Sequence, residues 1–187
     1  KEIATLKGHK DTIYAVAFSP DRKIVATASA DKTVKLWDVD SYKEITTLKG
    51  HASDVFSVNF SPDGKLIATS NDDELKLWST AVTAGASFKE IYELGAKVGF
   101  LRDGDQLAVV SSDIKLLDTK SLNNTGFKLS QTDSLKSVAI SRSGRFVAST
   151  TGDTTLKLWD VSSQGPTTLQ HSMAVSVLEF SPDGNIL

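Results

Sequence analysis

The stretch TIYAVAFSPDRKIVATASADKTVKLWDVDSYKEITTLKGH, residues 12–51, decides the fold. It holds four short β-type runs separated by turn residues. TIYAVAF (12–18) is an apolar run rich in strand formers. SPDRK follows as a turn, with Pro20 setting φ and Asp21 able to close the turn through its side chain. IVATAS (24–29) alternates small polar with apolar residues, the pattern of a half-buried strand. ADKT is a tight polar turn, VKLWDV (34–39) alternates again, and EITTL (44–48) follows another short loop. Short strands at this regular spacing predict an all-β fold.

The pattern returns along the chain. SPDR at 19–22 recurs as SPDG at 61–64, LRDG at 101–104, SRSG at 141–144 and SPDG at 181–184, in steps of 42, 40, 40 and 40 residues. VKLWD ending at Asp38 recurs as LKLWS ending at Ser79, IKLLD ending at Asp118 and LKLWD ending at Asp160. LKGH ends at His9 and again at His51, and LQH ends at His171. All three Trp and all three His therefore occupy repeat-equivalent positions.

A four-strand repeat of about 40 residues with these Gly-His and Trp-Asp dipeptides resembles the WD-repeat β-propeller, one blade per repeat. The resemblance covers the whole chain. It implies strands a to d in each blade, running outward from a central channel. Residues 1–187 then form a single segment, with strand d of a preceding blade at 2–6. Blades follow at 12–48, 54–94, 96–129 and 135–169, and a partial blade at 174–187. This is an incomplete ring of about 4.6 four-stranded antiparallel blades, against roughly seven or eight common in that family. Joining the two termini into one blade would leave strand c missing between b and d, and open edges are what closure removes. The chain is expected to be a piece of a longer propeller, with missing blades of the same or another chain completing the ring.

The match is uneven. Blade one is the fullest. Blade two keeps His51, Thr69, Asp73 and Trp78, but its b–c turn is one residue shorter. Its strand d is expected at KEIYEL (89–94), by alignment with KEITTL (43–48). That alignment puts about five extra residues in STAVTAGASF and nearly deletes the loop before GAKVGF. Blade three has Leu117 in place of Trp, and blade four keeps Ser149, Asp153 and Trp159 but has SQTD (130–133) in place of Gly-His.

Composition narrows the function classes. With 187 residues, 40% of them apolar, 24% charged, and a net charge of −2, the chain reads as an ordinary globular protein. A dedicated nucleic-acid binder would carry a basic excess. No apolar run approaches the ~18–20 residues that span a bilayer, and Lys1–Lys10 is not a signal peptide. The expectation is a cytoplasmic chain with neither nucleic acid nor membrane as a partner. The absence of cysteine excludes disulfides, thiolate catalysis and Cys-based zinc sites within the segment.

His9, Thr27, Ser29, Asp31 and Trp37 of blade one contain the residue types of a hydrolase triad. The family resemblance gives them another role. It implies a buried tetrad of the Gly-His histidine, a strand-b hydroxyl, the b–c turn aspartate and the strand-c tryptophan, tying the d–a loop to the blade. The inventory suits that role, since imidazole has two nitrogens, carboxylate only accepts and indole only donates. Thr27 and Ser29 share one strand parity, so parity leaves both open, with Ser29 slightly favoured. The equivalent sets are His51, Thr69, Asp73 and Trp78, and Ser149, Asp153 and Trp159. No GxSxG elbow, GxxxxGK loop or HExxH is present. The segment itself is expected to be no enzyme and to use no cofactor or metal.

What remains is surface. Propellers of this family bind peptides or proteins on the face carrying the d–a and b–c loops, near the channel mouth. The resemblance places Tyr14, Phe56, Ala96, Lys136 and Ser176 at that mouth. Tyr14 and Phe56 offer an aromatic anchor, or else pack between blades. The expected function is a protein-interaction scaffold or sensor. The alternative is the regulatory propeller of a multidomain NTPase, kinase or protease whose catalytic domain lies elsewhere.

Overall fold

The structure is a computed structural model that describes residues 2–81, 88–91, 97–101, 104–110, 113–130, 137–141, 145–151, 153–161, 166–175, 178–181 and 186–187. Among these residues there are β-strands and no helix. Blade one comprises β1 (Ile13–Phe18), β2 (Ile24–Ser29), β3 (Thr33–Asp38) and β4 (Glu44–Lys49). Blade two comprises β5 (Ser57–Phe60), β6 (Leu66–Ser70), β7 (Leu75–Ser79) and β8 (Phe88–Ile91). Blade three comprises β9 (Lys97–Leu101), β10 (Gln106–Val110), β11 (Asp113–Asp118) and β12 (Asn124–Ser130). Blade four comprises β13 (Ser137–Ile140), β14 (Phe146–Thr150), β15 (Thr155–Asp160) and β16 (Pro166–Gln170). Each blade is one four-stranded sheet with its strands in sequence order, the a-b-c-d meander of a propeller blade.

The chain divides into two compact units, Lys1–Val98 and Gly99–Leu187. In the first, blade one presents small residues, Ala15, Ala17, Ala26 and Ala28, together with Val34, Leu36 and Leu48. These pack with Val58, Phe60, Ile67 and Trp78 of blade two. Small residues against large ones let two sheets interdigitate without voids. The opposite face of β1 leaves Val16 and Phe18 59% and 62% exposed, whereas Val58, the counterpart of Val16, is 3% exposed. In the second unit Leu101, Ala108, Val110, Ile114, Leu116, Val147 and Trp159 form the core.

Recurring turn chemistry links the strands. In the a–b turn, Asp21 accepts the Ser19 hydroxyl at 2.6 Å and the Lys23 N–H at 3.1 Å, and Ser19 Oγ accepts the Ile24 N–H at 2.9 Å. Ser61, Asp63, Lys65 and Leu66 reproduce these three bonds in blade two. In the fifth repeat Ser181 Oγ accepts the Ile186 N–H at 2.9 Å. The fourth turn residue sits in the left-handed region: φ is 73° at Gly64, 91° at Gly104 and 63° at Arg22. The c–d turn repeats as well. Asp38 accepts the Ser41 N–H at 2.7 Å and Asp118 that of Ser121 at 2.7 Å, with φ of 59° at Tyr42 and 61° at Leu122 one residue later.

Three expectations change here. Residues 2–6 form no strand in this structure. The described residues of 174–187 likewise form no strand. In blade two, strand d is described at Phe88–Ile91, and residues 92–94 of the expected 89–94 lie outside the described residues. Leu75 pairs with Ile91 just as Val34 pairs with Leu48. Ile91 therefore takes the rung the alignment gave to Leu94. The shift leaves residues 92–96 to connect strands d and a, a connection that the KEIYEL alignment nearly abolishes.

Arg22 carries side-chain strain at a position that Gly64 and Gly104 occupy freely. A left-handed non-glycine residue costs about 1–2 kcal/mol, and glycine returns about 0.5–1 kcal/mol of that as unfolded-chain entropy. Arg22→Gly is expected to stabilise the chain by about 0.5–1 kcal/mol, read as a higher urea midpoint at unchanged slope.

Candidate functional site

In blade one, strand pairing sets Val25 opposite Trp37 and Thr27 opposite Lys35. The Trp37 indole leans one rung along β2, and its Nε1 donates to Thr27 Oγ1 at 2.9 Å. Thr27 Oγ1 lies 2.7 Å from His9 Nε2, and His9 Nδ1 lies 2.8 Å from Asp31 Oδ2. Indole only donates and carboxylate only accepts, so Trp37 donates to Thr27 and His9 Nδ1 donates to Asp31. The Thr27 hydroxyl lies within reach of both His9 Nε2, at 2.7 Å, and the Lys35 carbonyl, at 3.4 Å. The His9 and Asp31 side chains are 4% and 10% exposed, and Trp37 is 3% exposed.

Thr27, not Ser29, is the hydroxyl in the relay. Ser29 pairs with Ile13 at the strand end, two residues or roughly 6–7 Å farther from the indole. It secures the loops instead: its hydroxyl donates to the Asp11 carbonyl at 3.2 Å and accepts the Asp31 N–H at 3.1 Å. The repeat itself carried the signal, because the hydroxyl lies 10, 9 and 10 residues before the Trp in blades one, two and four.

Asp31 also accepts the Lys10 N–H at 3.0 Å, the Thr33 N–H at 3.1 Å and the Thr33 hydroxyl at 2.6 Å. Burial pushes this carboxyl up, but the bonds from Thr33, Lys10 and His9 outweigh it and hold it well below the usual carboxylate range.

Blade two builds the same relay with a different acid. Trp78 Nε1 donates to Thr69 Oγ1 at 2.7 Å, and Thr69 lies 2.7 Å from His51 Nε2. His51 Nδ1 then meets Glu74 Oε1 at 2.9 Å, while Asp73 is exposed. The shorter b–c turn moves the acid to the residue directly before β7, and the longer glutamate side chain makes up the reach. Asp31's second role passes to Asn71, whose Oδ1 accepts the N–H groups of Asp73 and Glu74 at 2.9 and 2.8 Å. Glu74 also forms an ion pair at 3.0 Å with Lys76, which is 1% exposed. Its partner lysine and histidine both lie inside the blade, each with a side chain 1% exposed.

Blade four keeps part of the set. Trp159 Nε1 donates to Ser149 Oγ at 3.1 Å. Asp153 is exposed, not part of a buried network, and accepts the Thr155 N–H and hydroxyl at 2.8 and 2.6 Å. SQTD falls on residues of which 131–133 lie outside the described ones. Blade three replaces the network with apolar contact: Val109 stands opposite Lys115 where Thr27 stands opposite Lys35, and Leu117 takes the Trp position, each 1% exposed. Removing both partners together leaves no orphaned polar atom.

Of the mouth residues, Ala96, Lys136 and Ser176 lie outside the described residues. Tyr14 and Phe56 are brought together, with ring centroids 4.9 Å apart and planes at 53°. Tyr14 remains 47% exposed, and its hydroxyl donates to Asp54 Oδ2 at 3.3 Å. Partial desolvation and the nearby Asp54 and Asp11 carboxylates raise the tyrosine above its ordinary value. Among the described residues, no three His, Asp or Glu side chains gather as a metal site.

These relays and turns are carried by a chain that belongs to the WD-repeat family. The family model "WD domain, G-beta repeat" matches residues 1–38, 42–79 and 124–160, passing over strands a to c of blade three. The chain is similar to nuclear distribution protein PAC1 of Arthroderma benhamiae, 36% identical over 183 residues, 87% of this chain and 39% of that protein. It is also similar to THO complex subunit 3 of Arabidopsis thaliana, 28% identical over 161 residues, 84% of this chain and 51% of that protein. A shorter match joins it to the intraflagellar transport protein 122 homolog of Xenopus tropicalis, 57% identical over 35 residues, 19% of this chain and 3% of that protein. The chain thus spans about half or less of the length of these relatives.

Asp31→Ala is expected to destabilise the chain by about 1–3 kcal/mol, since it takes the acceptor from a buried imidazole. Asp153→Ala, at an exposed turn, is expected to cost less; urea melts of both variants beside the parent check the order. The acid limb follows from the lowered Asp31 carboxyl. Its contribution is complete above the unfolded value of about 3.9 and is lost as pH falls through the lower folded value. The melting temperature of the parent is therefore expected to fall steeply below about pH 4, and that of Asp31→Asn to fall less steeply from a lower start.

Proposed function

We propose that this chain is part of a WD-repeat scaffold that binds a protein or peptide at the blade ends carrying the d–a and b–c loops. WD-repeat relatives support an interaction or regulatory scaffold as the general role. The observation that carries the finer reading is the Tyr14–Phe56 pair. It joins equivalent positions of two neighbouring blades, is fixed by a hydrogen bond to Asp54, and still leaves half of Tyr14 open. A rigid, partly open aromatic pair suits an interface anchor. The relays below it hold the d–a loops to the blades, which gives recognition loops a fixed base.

The segment reads as a binding module and not as an enzyme. The serine, histidine and aspartate types of a triad are engaged in structural networks of blade one, with Ser29 turned to loop carbonyl and amide groups. The uncovered Val16 and Phe18 support a further reading, that other blades complete the ring against β1. No helix among the described residues is long and apolar enough to cross a membrane. A cytoplasmic setting is part of this proposal.

Tyr14→Ala and Phe56→Ala test the reading against Tyr42→Ala, a 46% exposed aromatic in the c–d turn at the other end of blade one. The expected outcome, for variants whose melts show a folded chain, is roughly a tenfold or greater loss of affinity for a partner recovered by pull-down at Tyr14 or Phe56, and none at Tyr42. Loss only with Tyr42→Ala overturns the choice of face.

A further inference from the structure

We propose that the Tyr14–Phe56 pair, with Asp54 and Asp11 beside it, is a subsite for a basic side chain, an arginine or lysine of a bound peptide. This rests on the scaffold reading above and specifies the chemistry of its partner.

Tyr14 is 47% exposed, and the electron-rich face of an aromatic ring attracts a cation. The Tyr14 hydroxyl is tied to Asp54 Oδ2 at 3.3 Å, so the ring is held in place and the carboxylate stands at its rim. A carboxylate has about four lone-pair sites, so Asp54 keeps capacity beyond the one tyrosine bond. Asp11 is exposed and accepts only the local Thr12 N–H at 2.7 Å among its described side-chain bonds. Both carboxylates lie close enough to Tyr14 to push its hydroxyl pKa upward.

Three lysines of blade one gather elsewhere. Lys10, Lys35 and Lys49 line a separate cleft of about 390 Å³ with Gly8, Asp31, Thr33, Glu44 and Thr47. There Lys35 is bonded to Glu44 at 2.8 Å and to Thr47 at 2.8 Å. Tyr14 keeps the Asp54 and Asp11 carboxylates beside it, and Lys32 of the b–c turn is an exposed cation outside that cleft. A guanidinium over Tyr14 can also donate to the Asp54 carboxylate at the ring's rim, a combination that an aliphatic or acidic side chain cannot make. The site discriminates by charge, not by size.

The probes are blocked pentapeptides, Gly-Gly-Xaa-Gly-Gly, with Xaa as Arg, Lys, Glu or Leu, titrated into the full chain with amide NMR detection. The expected result is saturable shifts around Tyr14, Asp54 and Phe56 with Arg and Lys, at millimolar affinity, and none with Glu. Asp54→Asn is expected to weaken Arg binding about fivefold or more, and raising salt from 0.05 to about 0.5 M to weaken it further. Equal response to Arg, Leu and Glu, or no change in Arg binding with a folded Asp54→Asn, overturns the proposal. The two readings separate with the pull-down partner. If Tyr14→Ala and Phe56→Ala impair its binding while Asp54→Asn and salt do not, the interaction face stands and the cation subsite fails. If none of the three changes matters, both fail.

Discussion

The connection from indole to hydroxyl to imidazole to carboxylate is the constraint on which the rest of blades one and two depends. A blade of four short strands has little to hold its outermost loop, since ladder bonds end where the strands end. The relay solves this with side chains. Trp37 belongs to β3, Thr27 to β2, His9 to the loop before β1 and Asp31 to the turn between β2 and β3. One chain of four groups thus joins two strands, the turn between them and the loop before β1. Each group has the polarity its neighbours require.

Blade two shows which part of this is fixed and which is free. The carboxylate position is what matters, not the residue number that supplies it. Asp31 both receives the histidine and closes its turn. In blade two Glu74 receives the histidine and Asn71 closes the turn. The division draws Lys76 into a buried ion pair, so blade two has more charge sequestered than blade one. The b–c turn is consequently shaped by what lies beneath it as much as by its own residues.

The architecture was legible because a 40-residue period repeats its turns, its Trp and its His, and tertiary context reinforces each one. The parts that could not be read are those where two residues satisfy the same local rule. Thr27 and Ser29 share parity, and only rung-by-rung distance from Trp37 separates them. Asp73 and Glu74 are adjacent acids, and side-chain length decides between them. KEIYEL copies KEITTL in letters, yet the pairing is slid by three residues, with Ile91 opposite Leu75. Tyr14 and Phe56 were open between anchor and packing, and the geometry has them touching each other with Tyr14 half exposed.

Blade three, with Val109 and Leu117 in the hydroxyl and indole positions, has a consequence for how such repeats diverge. Exchanging Thr for Val first strands an indole N–H inside the sheet. Exchanging Trp for Leu first opens a void the size of a lost ring. Either intermediate is worse than both the wet and the dry end state. The two sites are therefore epistatic, and a blade crosses between them through a fitness valley. A lineage crosses most easily where the neighbouring blades already hold the sheet in place. Repeats that have lost their signature should for that reason be found between intact ones, and they should have lost it as a pair.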